Sequence, residues 1–208
     1  FGIPAYLEPL RKIARENNLI LIEDLAHGLG GTLNGQPLGS YGDAAILSFG
    51  RDKTISSVYG GAIVTSDDTL WQQLQRMPER QVPPTTWWII QQLLHPILMS
   101  GIMPLYFTAG IGKAILVAAQ KINLLSKAVS PLERQGRPPK FLNYRYPAAF
   151  LPLLKNQLAK LSVFTTHRQH IAASYLAAFP NRHLEPYRNQ ASWLRFHLPR
   201  EKNRAVLK

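Results

Sequence analysis

Two ionisable side chains follow apolar runs that have the length of β-strands. Asp24 comes directly after the run LILIE at residues 19–23, and Lys53 lies four residues beyond Phe49, which ends the run DAAILSF at residues 43–49. In an open parallel sheet the carboxyl ends of the strands meet at one edge, where ligands bind. We therefore expect a carboxylate and an amine at the same edge of a sheet.

A carboxylate and a lysine at one edge have two interpretations. They match the needs of pyridoxal 5'-phosphate, whose aldehyde forms an imine with a lysine amine and whose ring nitrogen an acid keeps protonated. The alternative is structural: Asp24 and Lys53 form an ion pair, or Asp24 caps the next turn while Lys53 faces water. The spacing of the two residues leaves both interpretations open.

The segments around these residues predict an α/β fold. Residues 4–18 have the spacing of an amphipathic helix, and the run at 19–23 is typical of a strand covered on both faces of a parallel sheet. A helix that leads into a buried strand indicates α/β architecture. The expected apolar side of the helix consists of Leu7, Leu10, Ile13 and Ala14.

Local signals predict further elements along the first 80 residues. Asn34-Gly35 is a tight-turn dipeptide that joins two short strands, and residues 60–66 have the composition of a third buried strand. Asp67 and Asp68 can cap a helix that follows them. That helix is expected to carry Leu70, Leu74 and Met77.

Two segments resemble a known family. The run IEDLAHGLGGTLNGQPLGSYGDAAILSFGRDKTISSVYGGAIVTSDD, residues 22–68, is similar to the DegT/DnrJ/StrS-type sugar aminotransferases, which are fold-type I enzymes dependent on pyridoxal phosphate. The similarity resumes at LNYRYPAAFLPLLKNQLAKLSVFTTHRQHIAASY, residues 142–175. The resemblance implies part of a three-layer α/β/α large domain and part of a smaller α+β C-terminal domain.

The resemblance also implies roles for individual residues. Asp24 falls on the acid that pairs with the pyridine nitrogen, and His27 on the residue that contacts the phenolic oxygen of the cofactor. Ser48 falls on the serine that binds the phosphate, and Lys53 on the imine-forming lysine. His27 could instead bond to backbone, and Ser48 could be a buried strand hydroxyl.

The second similar segment implies two more site residues. Asn143 resembles an asparagine that reaches the cofactor phosphate across a dimer interface, with a helix cap as the alternative. Arg145 is a candidate for substrate binding. Where the family usually has a G-E-G-G-like turn after the lysine, this sequence has Val58-Tyr59-Gly60-Gly61, so the shape of that loop is open.

The function that the resemblance implies is amino transfer to a nucleotide-linked keto-sugar, with glutamate as the amino donor. It also implies a homodimer with a shared active site, and a place in polysaccharide biosynthesis. Two alternatives stay open: a non-catalytic scaffold or sensor that keeps the fold, and a protein that contacts a membrane surface.

Residues 81–112 contain no Asp, Glu, Lys or Arg. Three interpretations of this stretch remain: a membrane span, a hairpin in which residues 85–112 touch a membrane surface, and a pair of apolar helices packed on the domain or on another subunit. His95, Pro96, Gly101 and Pro104 interrupt the stretch, which argues against a span. Such an apolar stretch is longer than the family resemblance leads us to expect.

The remaining segments predict a polar linker at residues 130–140, a long helical region and a half-buried strand at 192–199. The apolar side of the helical region is expected at Leu154, Leu158, Leu161, Ile171 and Tyr175. We expect three parts: a cofactor-binding portion of the large domain at 1–80, an apolar helical insertion and linker at 81–140, and the long helix with the start of the small domain at 141–208.

Composition narrows the classes of function. The net charge is +12: residues 1–80 hold seven Lys/Arg against nine Asp/Glu, and residues 81–208 hold 17 against three. The basic excess suits an anionic partner, but without a recognised motif we expect no nucleic-acid binding. With no cysteine and six scattered histidines, we expect no metal site and a cytoplasmic location. The chain begins with Phe1, so we expect a fragment that lacks an N-terminal part.

Overall fold

The computed structural model of the protein describes residues 1–108, 110–127 and 129–198. The chain divides into two compact units. The first unit combines residues 1–72 with the described residues from 153 onward, and the second unit comprises residues 73–152. The expected assignment of residues 1–80, 81–140 and 141–208 to three functional parts stays a prediction.

The first unit opens with a helix that leads toward a strand. Helix α1 spans Leu7–Glu16 and strand β1 spans Ile22–Asp24. The helix predicted for residues 4–18 is thus confirmed. Its expected apolar side is covered in part, with Leu7 and Ala14 buried and Leu10 and Ile13 exposed.

A small hairpin follows β1. Its antiparallel strands are β2, Thr32–Leu33, and β3, Gln36–Pro37. Between them Asn34 and Gly35 have φ angles of 49° and 81°. This is the left-handed region that asparagine and glycine enter most readily, so the dipeptide makes the tight turn that its sequence predicts.

The main sheet has the order β1-β4-β5, where β4 spans Ala44–Ser48 and β5 spans Gly61–Thr65. Strand β1 is parallel to β4, and β5 is antiparallel to β4. The strands predicted at residues 43–49 and 60–66 are therefore confirmed.

The prediction that these strands are buried on both faces is wrong for the described part of the chain. Leu19 and Ile20 lie outside β1 and are 59% and 77% exposed. A strand is buried on both faces only when a layer covers each face. Three isoleucines that the register places on one face of the sheet are exposed: Ile22, Ile46 and Ile63.

Helix α2, Asp68–Gln75, follows β5. The carboxylate of Asp67 accepts a 2.9 Å hydrogen bond from the N–H of Leu70, which is the capping geometry that satisfies a free donor at a helix start. The predicted cap is thus confirmed. Met77, expected on this helix, lies instead in the 3-10 turn Met77–Arg80.

Two helices form the long helical region: α5, Leu151–Ala159, and α6, Leu161–Ala178. They follow the two helices of the second unit, α3, Thr86–Ile102, and α4, Ile111–Lys121. On α6 the buried residues are Thr165, Ala172 and Leu176, and the expected Ile171 and Tyr175 are exposed. The predicted apolar side is therefore wrong for α6. The helix packs Ala172 and Leu176 against Ala191 and Trp193, and a small residue such as Ala172 allows the close approach of an indole.

The strand predicted at residues 192–199 is wrong for residues 192–198, and Pro199 lies outside the described residues. Trp193 has a φ of 49°, which interrupts the extended backbone that alternation requires. Its indole is buried, and the indole N–H donates to the carbonyl of Arg188 at 2.9 Å. The residues Trp193 and Phe196 stack with their ring centroids 5.4 Å apart.

The second unit is built around two apolar helices, α3, Thr86–Ile102, and α4, Ile111–Lys121. Ile102, Ala119 and Leu125 form a buried cluster, so α3, which belongs to the uncharged stretch, packs on α4, most of which lies beyond that stretch. Across the described residues, no helix combines the length and the apolar character that a membrane crossing requires.

Candidate functional site

The carboxyl ends of β1 and β4 bring Asp24 and Ser48 to one edge of the sheet. Asp24 is the last residue of β1 and pairs with Ile46 of the parallel strand β4. Ser48 ends β4 two residues later, and residues two apart in a strand point to the same face. Asp24 and Ser48 therefore share both an edge and a face of the sheet.

The carboxylate of Asp24 is exposed and takes part in a local turn. Its Oδ1 accepts a 2.9 Å hydrogen bond from the N–H of Ala26, which is the capping role that the sequence leaves open. Asp24 and His27 also line a cleft of about 290 Å³ together with residues of α1 and β1. The turn thus holds Asp24 in the lining of this cleft.

Ser48 and Lys53 come close together around Gly50. A Cβ built on Gly50 would lie 3.6 Å from Cγ of Lys53 and 3.8 Å from Oγ of Ser48. The N–H of Lys53 donates to the carbonyl of Gly50 at 3.2 Å, which closes a tight turn. The lysine stem is thereby folded back toward the end of β4, where the Ser48 hydroxyl lies.

His27 lies within the electrostatic reach of Lys53. Burial lowers the pKa of His27, and the positive charges of Lys53 and Arg195 lower it further, against an opposite effect of Asp52. A histidine whose pKa lies below its usual 6.5 is mainly neutral at pH 7. Its imidazole can therefore both donate and accept a hydrogen bond.

The loop after Lys53 is buried and contains an unusual backbone angle. Thr54, Ile55, Ser57 and Val58 are all buried. Val58 has a φ of 75°, a region that a β-branched residue adopts only with strain. The position where the resembled family usually has glycine thus keeps a glycine-like backbone, although its residue is valine.

Asn143 and Arg145 belong to the second unit. The carbonyl of Asn143 accepts from the N–H of Val82 at 2.9 Å, and the Arg145 guanidinium donates to the carbonyl of Pro78 at 3.2 Å. Both residues are exposed. Their predicted roles in binding phosphate and substrate stay predictions, as do those of Asp24, His27, Ser48 and Lys53.

Glu23 is a positioning residue that the sequence did not reveal. Its buried carboxylate accepts hydrogen bonds from three backbone N–H groups between β3 and β4. The donors are Gly39 at 2.8 Å, Tyr41 at 2.7 Å and Gly42 at 2.9 Å. An acidic residue inside an otherwise apolar strand, followed by a glycine-rich loop, is the signal that could have indicated this role.

Metal chemistry has no candidate site in the part of the chain that the structure describes. No group of three or more His, Cys, Asp or Glu side chains there is arranged to hold an ion.

Part of this chain is similar to known proteins. Residues 1–87 match the DegT/DnrJ/EryC1/StrS aminotransferase family, so the resemblance stated for residues 22–68 is confirmed. The GDP-perosamine synthase of Caulobacter vibrioides is 37% identical over 84 residues, which cover 40% of this chain and 23% of that protein. The chain thus spans about a quarter of the length of this curated relative.

Solved structures extend the likeness to the whole fold. A DegT DnrJ EryC1 StrS aminotransferase from Brucella abortus matches 99% of this chain and 44% of its own, with a TM-score of 0.61 and 19% identity. The E coli GDP-4-keto-6-deoxy-D-mannose-3-dehydratase, solved with bound hydrated PLP, matches 93% of this chain and 43% of its own, with a TM-score of 0.54 and 18% identity. The predicted fold-type I α/β architecture, present in part, is therefore confirmed.

Proposed function

We propose that the protein of which this chain forms part is a pyridoxal-phosphate-dependent aminotransferase that acts on a nucleotide-linked keto-sugar, with glutamate as amino donor. The observation that carries the proposal is the match of residues 1–87 to an aminotransferase family, within which Asp24 and Ser48 end neighbouring parallel strands at one sheet edge. The 37% identity with a GDP-perosamine synthase supports a nucleotide sugar as substrate.

The donor groups at this edge fit pyridoxal phosphate chemically. The cofactor supplies an aldehyde that reacts with amines and a ring that accepts electrons. Asp24 offers a carboxylate to the ring nitrogen, Ser48 a hydroxyl to the phosphate, and His27 a neutral imidazole to the phenolic oxygen. Lys53 supplies the attaching amine and moves a proton at Nζ during transfer.

The other roles belong to the same proposal. Asn143 reaches the phosphate from a partner protomer in a homodimer, and Arg145 binds the substrate. A cytoplasmic location, a place in polysaccharide biosynthesis and contact of residues 85–112 with a membrane surface are expectations from the sequence. Flotation with anionic liposomes tests the membrane contact, and absence of the protein from the lipid fraction at low salt contradicts it.

Borohydride trapping tests the proposal. The full-length protein is mixed with pyridoxal phosphate, reduced with borohydride and digested, and mass spectrometry locates the adduct. We expect the adduct on Lys53, its loss in Lys53→Ala, and an unchanged yield in Lys12→Ala, because Lys12 is an exposed lysine of α1. An equal yield in Lys53→Ala contradicts the assignment.

Turnover needs its own measurement. Transfer of ¹⁵N from labelled glutamate to a panel of nucleotide-linked keto-sugars is expected for the enzyme. A protein that binds the cofactor at Lys53 but transfers no nitrogen to any member of the panel contradicts the catalytic proposal and supports the scaffold alternative.

A further inference from the structure

Arg168 and Ser192 connect the two loops that carry candidate site residues. The guanidinium of Arg168, on α6, donates from Nη1 to the carbonyl of Thr54 at 3.3 Å and from Nε to the carbonyl of Ser192 at 2.9 Å. The hydroxyl of Ser192 donates to the carbonyl of His27 at 2.5 Å. Because Thr54 directly follows Lys53, these hydrogen bonds join the backbone beside Lys53 to the backbone of His27.

The environment of Arg168 is unfavourable for a residue with only a packing role. Burial lowers the pKa of its guanidinium, so the surroundings disfavour the charge. Within the described residues its Nη2 is buried without a hydrogen-bond partner, and no carboxylate pairs with it. Even a partly buried charge without a counter-charge carries a desolvation cost, and departures of this kind concentrate at functional sites.

The neighbouring residue on α6 already attaches the helix to the segment that holds Ser192. Nε2 of Gln169 donates to the carbonyls of Asn189 at 3.0 Å and Ala191 at 3.1 Å. Neither of these two hydrogen bonds reaches the loop after Lys53. Arg168 also donates a hydrogen bond to the carbonyl of Thr54. Attachment of α6 to the segment that holds Ser192 does not require this hydrogen bond.

We propose that Arg168 is a positioning residue that fixes the backbone at Lys53 directly and the backbone at His27 through Ser192. The arrangement restrains the backbone positions from which the lysine and the histidine side chains extend. The consequence for catalysis rests on the proposed aminotransferase function, whereas the restraint on the backbone does not.

Matched methionine variants of adjacent residues test this role in the full-length chain. Hydrogen–deuterium exchange is followed in peptides covering residues 50–58 and 24–29 of the parent, Arg168→Met and Gln169→Met. For Arg168→Met we expect exchange about tenfold faster in residues 50–58, the effect of losing one hydrogen bond from a charged donor, together with faster exchange in residues 24–29. For Gln169→Met we expect residues 50–58 to exchange as in the parent.

A second readout addresses the reaction site. With pyridoxal phosphate present, the pH midpoint of the visible absorbance band should shift in Arg168→Met and stay at the parent value in Gln169→Met. Arg168→Lys should restore part of the protection at residues 50–58, because its ammonium can still donate to the Thr54 carbonyl, and it replaces Arg168→Met if that variant does not fold.

The outcomes separate the two proposals. Equal exchange at residues 50–58 in the parent and in both Arg168 variants overturns the positioning role, as does an equal increase in Gln169→Met. A parent protein that forms no adduct at Lys53 overturns the proposed function alone, since the exchange measurement needs no cofactor.

Discussion

The buried carboxylate of Glu23 accepts a 2.7 Å hydrogen bond from the backbone N–H of Tyr41. The N–H groups of Gly39 and Gly42 donate to the same carboxylate, and Glu23 is only 5% exposed. Three charge-assisted hydrogen bonds offset the desolvation of a buried carboxylate. Glu23 therefore fixes the loop that enters β4 and, with it, the start of that strand at Ala44.

Glu23→Gln is expected to lower the free energy of unfolding by about 2–4 kcal/mol. An amide has one acceptor oxygen, and its NH₂ group would face a backbone N–H that the carboxylate now satisfies. Urea denaturation measures the change. Glu16→Gln is the matched control, because Glu16 is 58% exposed in a salt bridge with Lys12, and it should change stability by less than about 0.5 kcal/mol. Equal losses in the two variants would contradict the anchoring role of Glu23.

At position 58 we predict that a glycine variant is more stable than an alanine variant. The φ of Val58, 75°, lies where a Cβ is unfavourable by about 1–2 kcal/mol. Both Val58→Gly and Val58→Ala lose a buried side chain, but only glycine relieves the angle. We therefore expect Val58→Gly to be more stable than Val58→Ala by about 1 kcal/mol in thermal or urea unfolding.

Val163 is the control, because there we expect the glycine variant to be less stable than the alanine variant. It lies inside α6 and is 65% exposed, so Val163→Gly should be less stable than Val163→Ala by about 1 kcal/mol, the ordinary helix preference. If alanine is the better residue at both positions, the backbone at Val58 is not strained.

Elements that depend on local signals could be predicted from the sequence. The Asn34-Gly35 turn and the Asp67 cap need only neighbouring residues, since their side chains and φ preferences act within a few positions. Exposure could not be predicted in the same way. Ile22 and Ile46 belong to strands whose composition indicates burial, yet burial depends on which layers cover the sheet.

The residues of the candidate site likewise differ in whether local sequence patterns could predict them. The common edge of Asp24 and Ser48 follows from strand ends and parallel pairing, so a strand pattern was sufficient to expect it. Glu23 and Arg168 could not be found this way, because their partners are backbone groups brought near by the fold. Asn143 and Arg145 rest on a motif resemblance, and the structure assigns them to the other unit.

Substitutions on α6 test whether the observed burial or the sequence pattern identifies the residues that stabilise the fold. Leu176 is 1% exposed and Ile171 is 41% exposed, although both are aliphatic residues on one helix. Leu176→Ala should lower the free energy of unfolding by about 2–5 kcal/mol, because it leaves a cavity beside Trp193. Ile171→Ala should cost less than about 1 kcal/mol. A larger loss at Ile171 would show that the sequence pattern, with Ile171 on the apolar side, is right.

Lys53 and His27 are expected to be coupled electrostatically. Lys53→Met removes a positive charge that disfavours the imidazolium form, so the pKa of His27 should rise toward 6.5 while burial keeps it below that value. An NMR titration of the His27 C2 proton measures the shift. Lys12→Met removes a lysine that does not act on His27 and should leave its titration unchanged. Identical titrations of His27 in the parent and in Lys53→Met would show that the charge of Lys53 does not act on His27.

The lowered pKa of His27 also makes stability depend on pH. In the unfolded chain the histidine titrates near its ordinary value of about 6.5, so between that pH and the lower folded pKa the unfolded state binds more protons. Stability is therefore fully present above about pH 6.5 and falls as pH decreases through the folded pKa. His27→Gln removes a titrating group without adding charge, so urea unfolding should show a smaller loss of stability between about pH 6.5 and pH 5 than in the parent. An unchanged loss in His27→Gln would mean that other groups produce the acid sensitivity and that the environment of His27 does not oppose its protonation.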